Sequence, residues 1–294
     1  MFLVTGATGN VGSQVVAQLL ARGERVRVFV RDANKVAQWG DRVEIAVGEF
    51  AAPERFARAV AGADGVFLMN GSEGEPFARL IAAAHAQGKP RIVFLSTLFA
   101  GLAGSQIGKL HKDKEDAIRA SGLRGTFVRP GGFMSNAYQW IGPIKAEGVV
   151  YNVMGAGRFA PIAPEDIAAV VVQALTAPRH SSDDMTKRSY DDMTNRDGVI
   201  EITGRELLTV QDQVGILSDV LGRPLRCVDV PSHAAIDGMI RAGMPQHVAA
   251  AVAESFDAIR DGRGTIVNDT VARVTGHPPK TFETWAREHA TLFA

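Results

Sequence analysis

A single cysteine, Cys227, leaves the chain without an intramolecular disulfide framework and fits a reducing compartment. An excess of either charge is missing too. The 32 lysines and arginines are matched by 32 aspartates and glutamates, so nothing calls for nucleic acid or another polyanion as partner. Long hydrophobic runs are absent. The longest mostly apolar stretches, such as residues 167–175, are too short to span a bilayer, and no membrane association is expected. The opening Met-Phe-Leu-Val-Thr-Gly carries no basic n-region, so no secretory leader is expected and the default location is cytoplasmic. Six of the histidines, at 85, 180, 233, 247, 277 and 289, have no ligand-like spacing, and no metal is expected. Tyrosine is scarce, at 138, 151 and 190 alone.

What is present is enough apolar sequence for a full core: 294 residues, 46% of them hydrophobic, suggest one or two domains. The most informative stretch comes first. Residues 2–4 are Phe-Leu-Val, and Thr5-Gly6-Ala7-Thr8-Gly9-Asn10-Val11-Gly12 follow, after which an apolar-periodic helix begins at once. A short strand running into a glycine-rich turn and then a helix is the layout of a dinucleotide site. Gly6 would make the tight turn, Gly9 would let backbone approach a diphosphate, and Gly12 would bring the helix close to the sheet. The helix N-terminus offers unpaired N–H groups and the positive end of its dipole to phosphates. Thr8, Asn10 and Val11 belong to the same cradle. Its first gap is one residue wider than in the commonest form.

The first half alternates. Strands are expected at residues 2–4, 25–30, 43–47, 65–69, 91–96 and 126–129, with helices at 11–20, 36–39, 53–60, 75–86 and 109–120 between them. This pattern means right-handed crossovers and a parallel sheet buried on both faces, with ligands at the C-terminal edge of the strands. That edge carries Arg31, Asn70-Gly71, Ser96-Thr97 and Arg129-Pro130-Gly131-Gly132-Phe133. The fold class expected is α/β: a Rossmann-like parallel sheet with helices on both faces, plus a smaller, mostly helical C-terminal substrate lobe. Residues 1–150 would form the dinucleotide domain, with 160–178 packing back onto it. Residues 151–294 would be mostly the substrate lobe, interrupted by a surface insertion at 181–198 where Asp-Asp-Met-Thr occurs twice.

After the second strand an NAD site usually carries an acidic residue for the adenosine ribose. Here Arg31 stands in that place with Lys35 about one turn beyond, and two cations suit a 2′-phosphate. NADP(H) is therefore favoured over NAD(H), although Asp32 could still accept from a ribose hydroxyl. Asn70, Gly71, Ser96, Thr97, Pro130, Gly131 and Phe133 are further candidate cofactor contacts.

Carbonyl or quinone reduction needs a proton or an oxyanion stabiliser opposite the hydride. A tyrosine four residues before a lysine would supply it, but Leu110 stands four before Lys114. His111 and Lys114 share a helix face beside Glu115, so His111 could donate to a carbonyl oxygen and Lys114 could bind the nicotinamide ribose. Equally, residues 109–116 could be a solvated, charge-laced surface. The Ser96 hydroxyl is a third catalytic candidate. Phe99, His111, Phe133, Tyr138 and Trp140 are the candidate substrate contacts, with the aromatic cluster open to a second reading as core. The glycine-containing loop 98–108 carries few anchors and is expected to be mobile.

These residues bear a resemblance. Thr5–Gly12, Val30-Arg31, His111 to Glu115 followed by Ala120-Ser121-Gly122-Leu123, Thr126-Phe127-Val128-Arg129-Pro130-Gly131-Gly132-Phe133-Met134 with Asn136, and Pro164-Glu165-Asp166-Ile167-Ala168 together resemble the NmrA-like group of atypical short-chain dehydrogenases. They are most similar to its quinone oxidoreductase and triphenylmethane reductase branch. The resemblance implies a Rossmann core with a smaller lobe, NADP(H) held by the glycine turn and Arg31, and frequent loss of the tyrosine. It implies an NADPH-dependent oxidoreductase passing hydride to a flat apolar acceptor such as a quinone or dye. The alternative it leaves open is an NADP(H)-binding redox-sensing regulator without turnover, which would need a protein partner. A homodimer is compatible with both.

Overall fold

The computed structural model describes residues 1–69, 72–178 and 198–294. Apolar side chains on both faces make β1 (Phe2–Thr5), β4 (Gly65–Leu68) and β5 (Arg91–Leu95) interior strands, and every residue of the three is buried. Beside them lie β2 (Val26–Val30), β3 (Val43–Val47), β6 (Gly125–Pro130) and β8 (Val199–Ile202), in a seven-stranded sheet of order β3-β2-β1-β4-β5-β6-β8. β1 pairs in parallel with both β2 and β4, Phe2 standing opposite Val26 on one side and Gly65 on the other. The Phe127 N–H donates to Gly198 O (2.8 Å) and the Gly131 N–H to Ile202 O (2.9 Å), a constant offset that makes the β6–β8 pair parallel as well. From β1 the chain moves outward to β2 and β3, then returns to β4 and moves the other way. The order therefore reverses between β1 and β4, and a crevice opens at their C-terminal ends.

In chain order the first helices are α1 (Asn10–Ala21), α2 (Pro53–Val60), α3 (Gly74–Ala86), α4 (Gln106–Ala120), α5 (Ile141–Glu147) and α6 (Pro164–Thr176). α1 packs against α6 and α2 against α3, so right-handed crossovers in the two directions cover both faces of the sheet. This is the Rossmann-like fold expected. The Gln18 side chain donates to the Glu165 carbonyl (2.9 Å), tying α1 to the first turn of α6.

Two compact units result. The first contains Met1–Thr97, Leu110–Arg129 and Pro164–Glu201; the second contains Leu98–Lys109, Pro130–Ala163 and Ile202–Ala294. The boundary expected at residue 150 is corrected by this division. Residues 98–109 and 130–150 leave the sheet at the ends of β5 and β6 and join the other core. The first core gathers Phe56, Phe77, Phe94 and Phe127 around the strands. The second gathers Trp140, Ile144, Phe282, Trp285 and Phe293. Its helices are α7 (Val210–Leu221), α8 (Ile236–Arg241), α9 (Gln246–Arg260), α10 (Thr270–Thr275) and α11 (Phe282–Phe293). A small parallel pair joins them, β7 (Val149–Asn152) with β9 (Arg226–Asp229). β7 has no counterpart among the strands expected from the sequence. α7 opens on a capping box, Thr209 with Asp212, and closes at Gly222 with φ 65°. The loop expected to be mobile over 98–108 is shorter and better anchored than that. α4 already begins at Gln106, and the Ser105 hydroxyl accepts the Gly108 N–H (3.1 Å). The expected insertion at 181–198 lies, but for Gly198, outside the described residues.

Among the described residues no helix is long and apolar enough to cross a membrane. Arg91, 7% exposed, stands at the start of β5 and closes the end of α6, where its Nη1 donates to the carbonyls of Ala174, Leu175 and Ala177 at 2.6–3.1 Å. Arg91→Ala strands these carbonyls and is expected to cost about 1–3 kcal/mol in urea denaturation; an unchanged midpoint would contradict this role.

Candidate functional site

β1 ends at the fully buried Thr5, whose hydroxyl spans the topological switch point. It accepts the Met69 N–H (2.8 Å) and donates towards the Phe67 carbonyl (3.0 Å), fastening the ends of β1 and β4 to each other. Gly6 then turns the chain with φ 62°, a left-handed value that glycine adopts without strain. The Gly9 N–H closes the turn on the Gly6 carbonyl (2.9 Å). Of the three glycines in this turn Gly12 makes the tightest approach, because a Cβ there would stand 2.1 Å from the Gly6 oxygen. Gly9 caps α1 without a side chain, so the leading N–H groups of the helix have no side-chain acceptor. Such an end suits an anion. Thr8 and Asn10 are exposed beside it, while Val11 buries its side chain and offers its backbone.

A cavity of about 470 Å³ continues from this turn, lined by Gly6, Thr8, Phe29, Arg31, Asp32, Lys35, Glu49, Phe50 and Met69 among others. Phe29 and Phe50 pack with ring centroids 5.5 Å apart. Arg31 and Lys35 are exposed at the cavity, and neither has an ion-pair partner among the described residues. Asp32, the residue that kept a ribose contact open, also lines the cavity and caps the helical turn Ala33–Arg42, its Oδ1 accepting the Asn34 N–H (2.9 Å). Asn70 and Gly71 lie outside the described residues.

The face of α4 is divided. Lys112 and Asp116 pair in solvent, whereas Lys114 and Glu115 are buried. The wholly solvated helix surface that the sequence allowed is thus not what forms. Burial pulls the Lys114 ammonium below the usual lysine range, and the nearby Glu73 carboxylate opposes that shift. His111 is half-buried with its ring 6.3 Å from that of Phe94. Ser96, at the end of β5, donates its hydroxyl to Glu115 Oε1 (2.6 Å), and Thr97 beside it is half-buried. Arg129 meets the same carboxylate with Nε (2.9 Å) and Nη2 (2.7 Å), and this bond holds its guanidinium above the usual arginine range. Sequence reasoning gives this pair no role. A charged residue directly after Phe127-Val128 in a buried strand was the available signal, since such a charge needs a partner.

The other candidates belong to the second unit. Pro130 is buried; Gly131 and Phe133 are half-buried, and Phe133 bridges to Ile162. Phe99 is half-buried against the second core. Tyr138 lies 5.5 Å from Trp285, 5.9 Å from His289 and 6.5 Å from Phe293, ring centre to ring centre. Trp140 is 7% exposed inside that core, so of the two readings open to it the structure favours core over pocket wall.

The profile of a family described as NAD(P)H-binding matches residues 6–178. The chain belongs to this family. Over its whole length it is 36% identical to a (4-alkanoyl-5-oxo-2,5-dihydrofuran-3-yl)methyl phosphate reductase from Streptomyces griseus, covering 99% of that protein. It is 33% identical to an NAD(P)H azoreductase from Xenophilus azovorans, covering all of this chain and 99% of the relative. In fold it is similar to an NADPH-dependent quinone oxidoreductase from Escherichia coli solved with NADPH, with a TM-score of 0.79, 21% identity, and 98% of this chain and 99% of that one covered. The resemblance to the NmrA-like branch of reductases is borne out by these relatives.

Linkage follows from Lys114. Its folded pKa lies below its unfolded one, so between the two values the unfolded chain holds more protons and stability rises with pH. Lys114→Met is therefore expected to melt higher than the parent at neutral pH, with the gap closing as pH rises towards the ordinary lysine value of 10.5. A constant gap across that range would refute the buried-ammonium assignment.

Proposed function

We propose that the chain is an NADPH-dependent oxidoreductase acting on a flat, unsaturated acceptor of the quinone or dye class. The observation that carries the reading is the cavity leading from the glycine turn to two cations without ion-pair partners among the described residues, Arg31 and Lys35. Backbone N–H groups of residues 9–12 would hold the diphosphate. Arg31 and Lys35 would take the 2′-phosphate, with Phe29 and Phe50 as an apolar side for the base. The two cations after β2 favour NADPH over NADH, and the cap occupies only one oxygen of Asp32. The reduced nicotinamide, when bound, supplies the hydride. Lys114 would bind its ribose, and His111 would donate to the acceptor oxygen.

The missing phenol fits this substrate class. Leu110 stands four residues before Lys114, so no tyrosine is placed there to protonate an isolated alkoxide. A conjugated acceptor spreads the incoming charge and needs a weaker acid. The names of the relatives point the same way, to an azo compound, a quinone and a dihydrofuranone. A cytoplasmic location accompanies the reading through the NADPH supply and the lone Cys227.

Initial rates of NADPH oxidation against quinones, azo and triphenylmethane dyes and aldehydes test the proposal, with quinones or dyes expected to turn over fastest. Tight NADPH binding by calorimetry without turnover across the panel would replace it by the redox-sensing alternative. For the phosphate contact, Arg31→Asp is expected to weaken NADPH by roughly 1–3 kcal/mol while leaving NADH little changed. Equal weakening of both would remove Arg31 from the 2′-phosphate.

A further inference from the structure

The buried charges behind the end of β5 take no part in the hydride transfer proposed for the site. Glu115 is fully buried, and its carboxylate takes four donors: the Ser96 hydroxyl (2.6 Å), Arg129 Nε (2.9 Å) and Nη2 (2.7 Å), and Arg119 Nη2 (3.3 Å). A carboxylate offers about four lone-pair sites, so its capacity is filled. The donors come from the end of β5, from β6 and from the next turn of α4. Arg129 also reaches Glu201 on β8 (3.4 Å), and the Arg119 guanidinium lies 4.1 Å over the Phe127 ring.

Stability alone does not account for this cluster. Desolvation consumes most of the attraction in a buried ion pair, and apolar residues of similar volume often serve the core as well. What the cluster does supply is direction. A carboxylate only accepts, so the single Ser96 hydrogen is committed to Glu115 and the hydroxyl presents lone pairs to anything else that meets it. The three bonds from Ser96 and Arg129 pin α4 to the sheet at the residue directly after Lys114 and one turn beyond His111.

We propose that Glu115, held by Arg129, is the positioning residue for the nicotinamide end of the site: it orients Ser96 as a hydrogen-bond acceptor and sets the rotation of α4 that presents His111 and Lys114. This rests on the oxidoreductase reading and deepens it. Ser96 then delivers no proton to the acceptor. It accepts from a ribose hydroxyl or a carboxamide N–H, and Lys114 and His111 remain as the donors on α4.

Glu115→Gln tests this, because the amide keeps the shape but can donate to Ser96 and reverse its hydroxyl. Four quantities are read beside the parent: thermal midpoint, NADPH affinity, the emission of bound NADPH, and kcat and KM for the best quinone. The expected result is an affinity within about threefold of the parent, an altered nicotinamide emission, and a kcat lower by roughly tenfold or more with acceptor KM little changed. Ser96→Ala added to Glu115→Gln is expected to cost no more than Glu115→Gln alone, since the two act as one unit. A lower midpoint with emission, kcat and KM unchanged would overturn the proposal, and so would losses that multiply in the double variant. If Glu115→Gln does not fold, Ser96→Ala decides by itself: emission and kcat must both change, and an unaltered pair overturns the assignment. If the parent turns nothing over, the oxidoreductase reading falls, while the emission of NADPH bound to Glu115→Gln still decides for or against Glu115.

Discussion

The closeness of Gly12 to the Gly6 carbonyl is the constraint on which the rest of the site depends. A single methyl at position 12 would overlap the Gly6 oxygen, so α1 can start where it does only because glycine stands there. That start leaves the first N–H groups of α1 open at the C-terminal end of β1. Thr5 completes the arrangement by fastening β1 to β4 at the point where the strand order reverses. Backbone contact, left-handed turn and hydroxyl bridge together produce one crevice with a positive end, and an anionic cofactor needs little more from this part of the chain.

Charge is handled differently at the two ends of the first unit's site. At the end beside β2 Arg31 and Lys35 are exposed and have no carboxylate paired to them among the described residues. At the other end Lys114, Glu115 and Arg129 are all buried, and the last two neutralise each other at hydrogen-bond distance. The exposed pair is suited to meeting a phosphate from solvent, where attraction is screened but the desolvation cost is small. The buried group is suited to holding fixed directions, because in a low dielectric each bond is strong and each loss is costly.

Much of this was legible beforehand. Runs such as Phe-Leu-Val and Arg-Ile-Val-Phe-Leu alternating with amphipathic helices specify a parallel sheet, and the glycine spacing after β1 specifies what happens at its end. β7 escaped notice because Val149–Asn152 is a four-residue strand whose partner, Arg226–Asp229, lies more than 70 residues away. The boundary at residue 150 failed for a related reason. Local pattern locates the elements but not the core each one joins, and residues 98–109 and 130–150 join the second.

The order of strands and helices, the dinucleotide turn, the cations after β2 and the absence of a phenol before Lys114 were determined by the sequence alone, because each depends on neighbours a few residues apart. The fate of individual charges was decided only by tertiary structure. Nothing local distinguishes Lys112, paired in solvent with Asp116, from Lys114, two residues on and buried. Nor does anything local join Ser96, Glu115 and Arg129, which lie at the end of β5, on α4 and on β6 and meet only when the sheet and helix have packed. Burial, and therefore pKa, hydrogen-bond polarity and chemical role, depends on which distant surfaces come together.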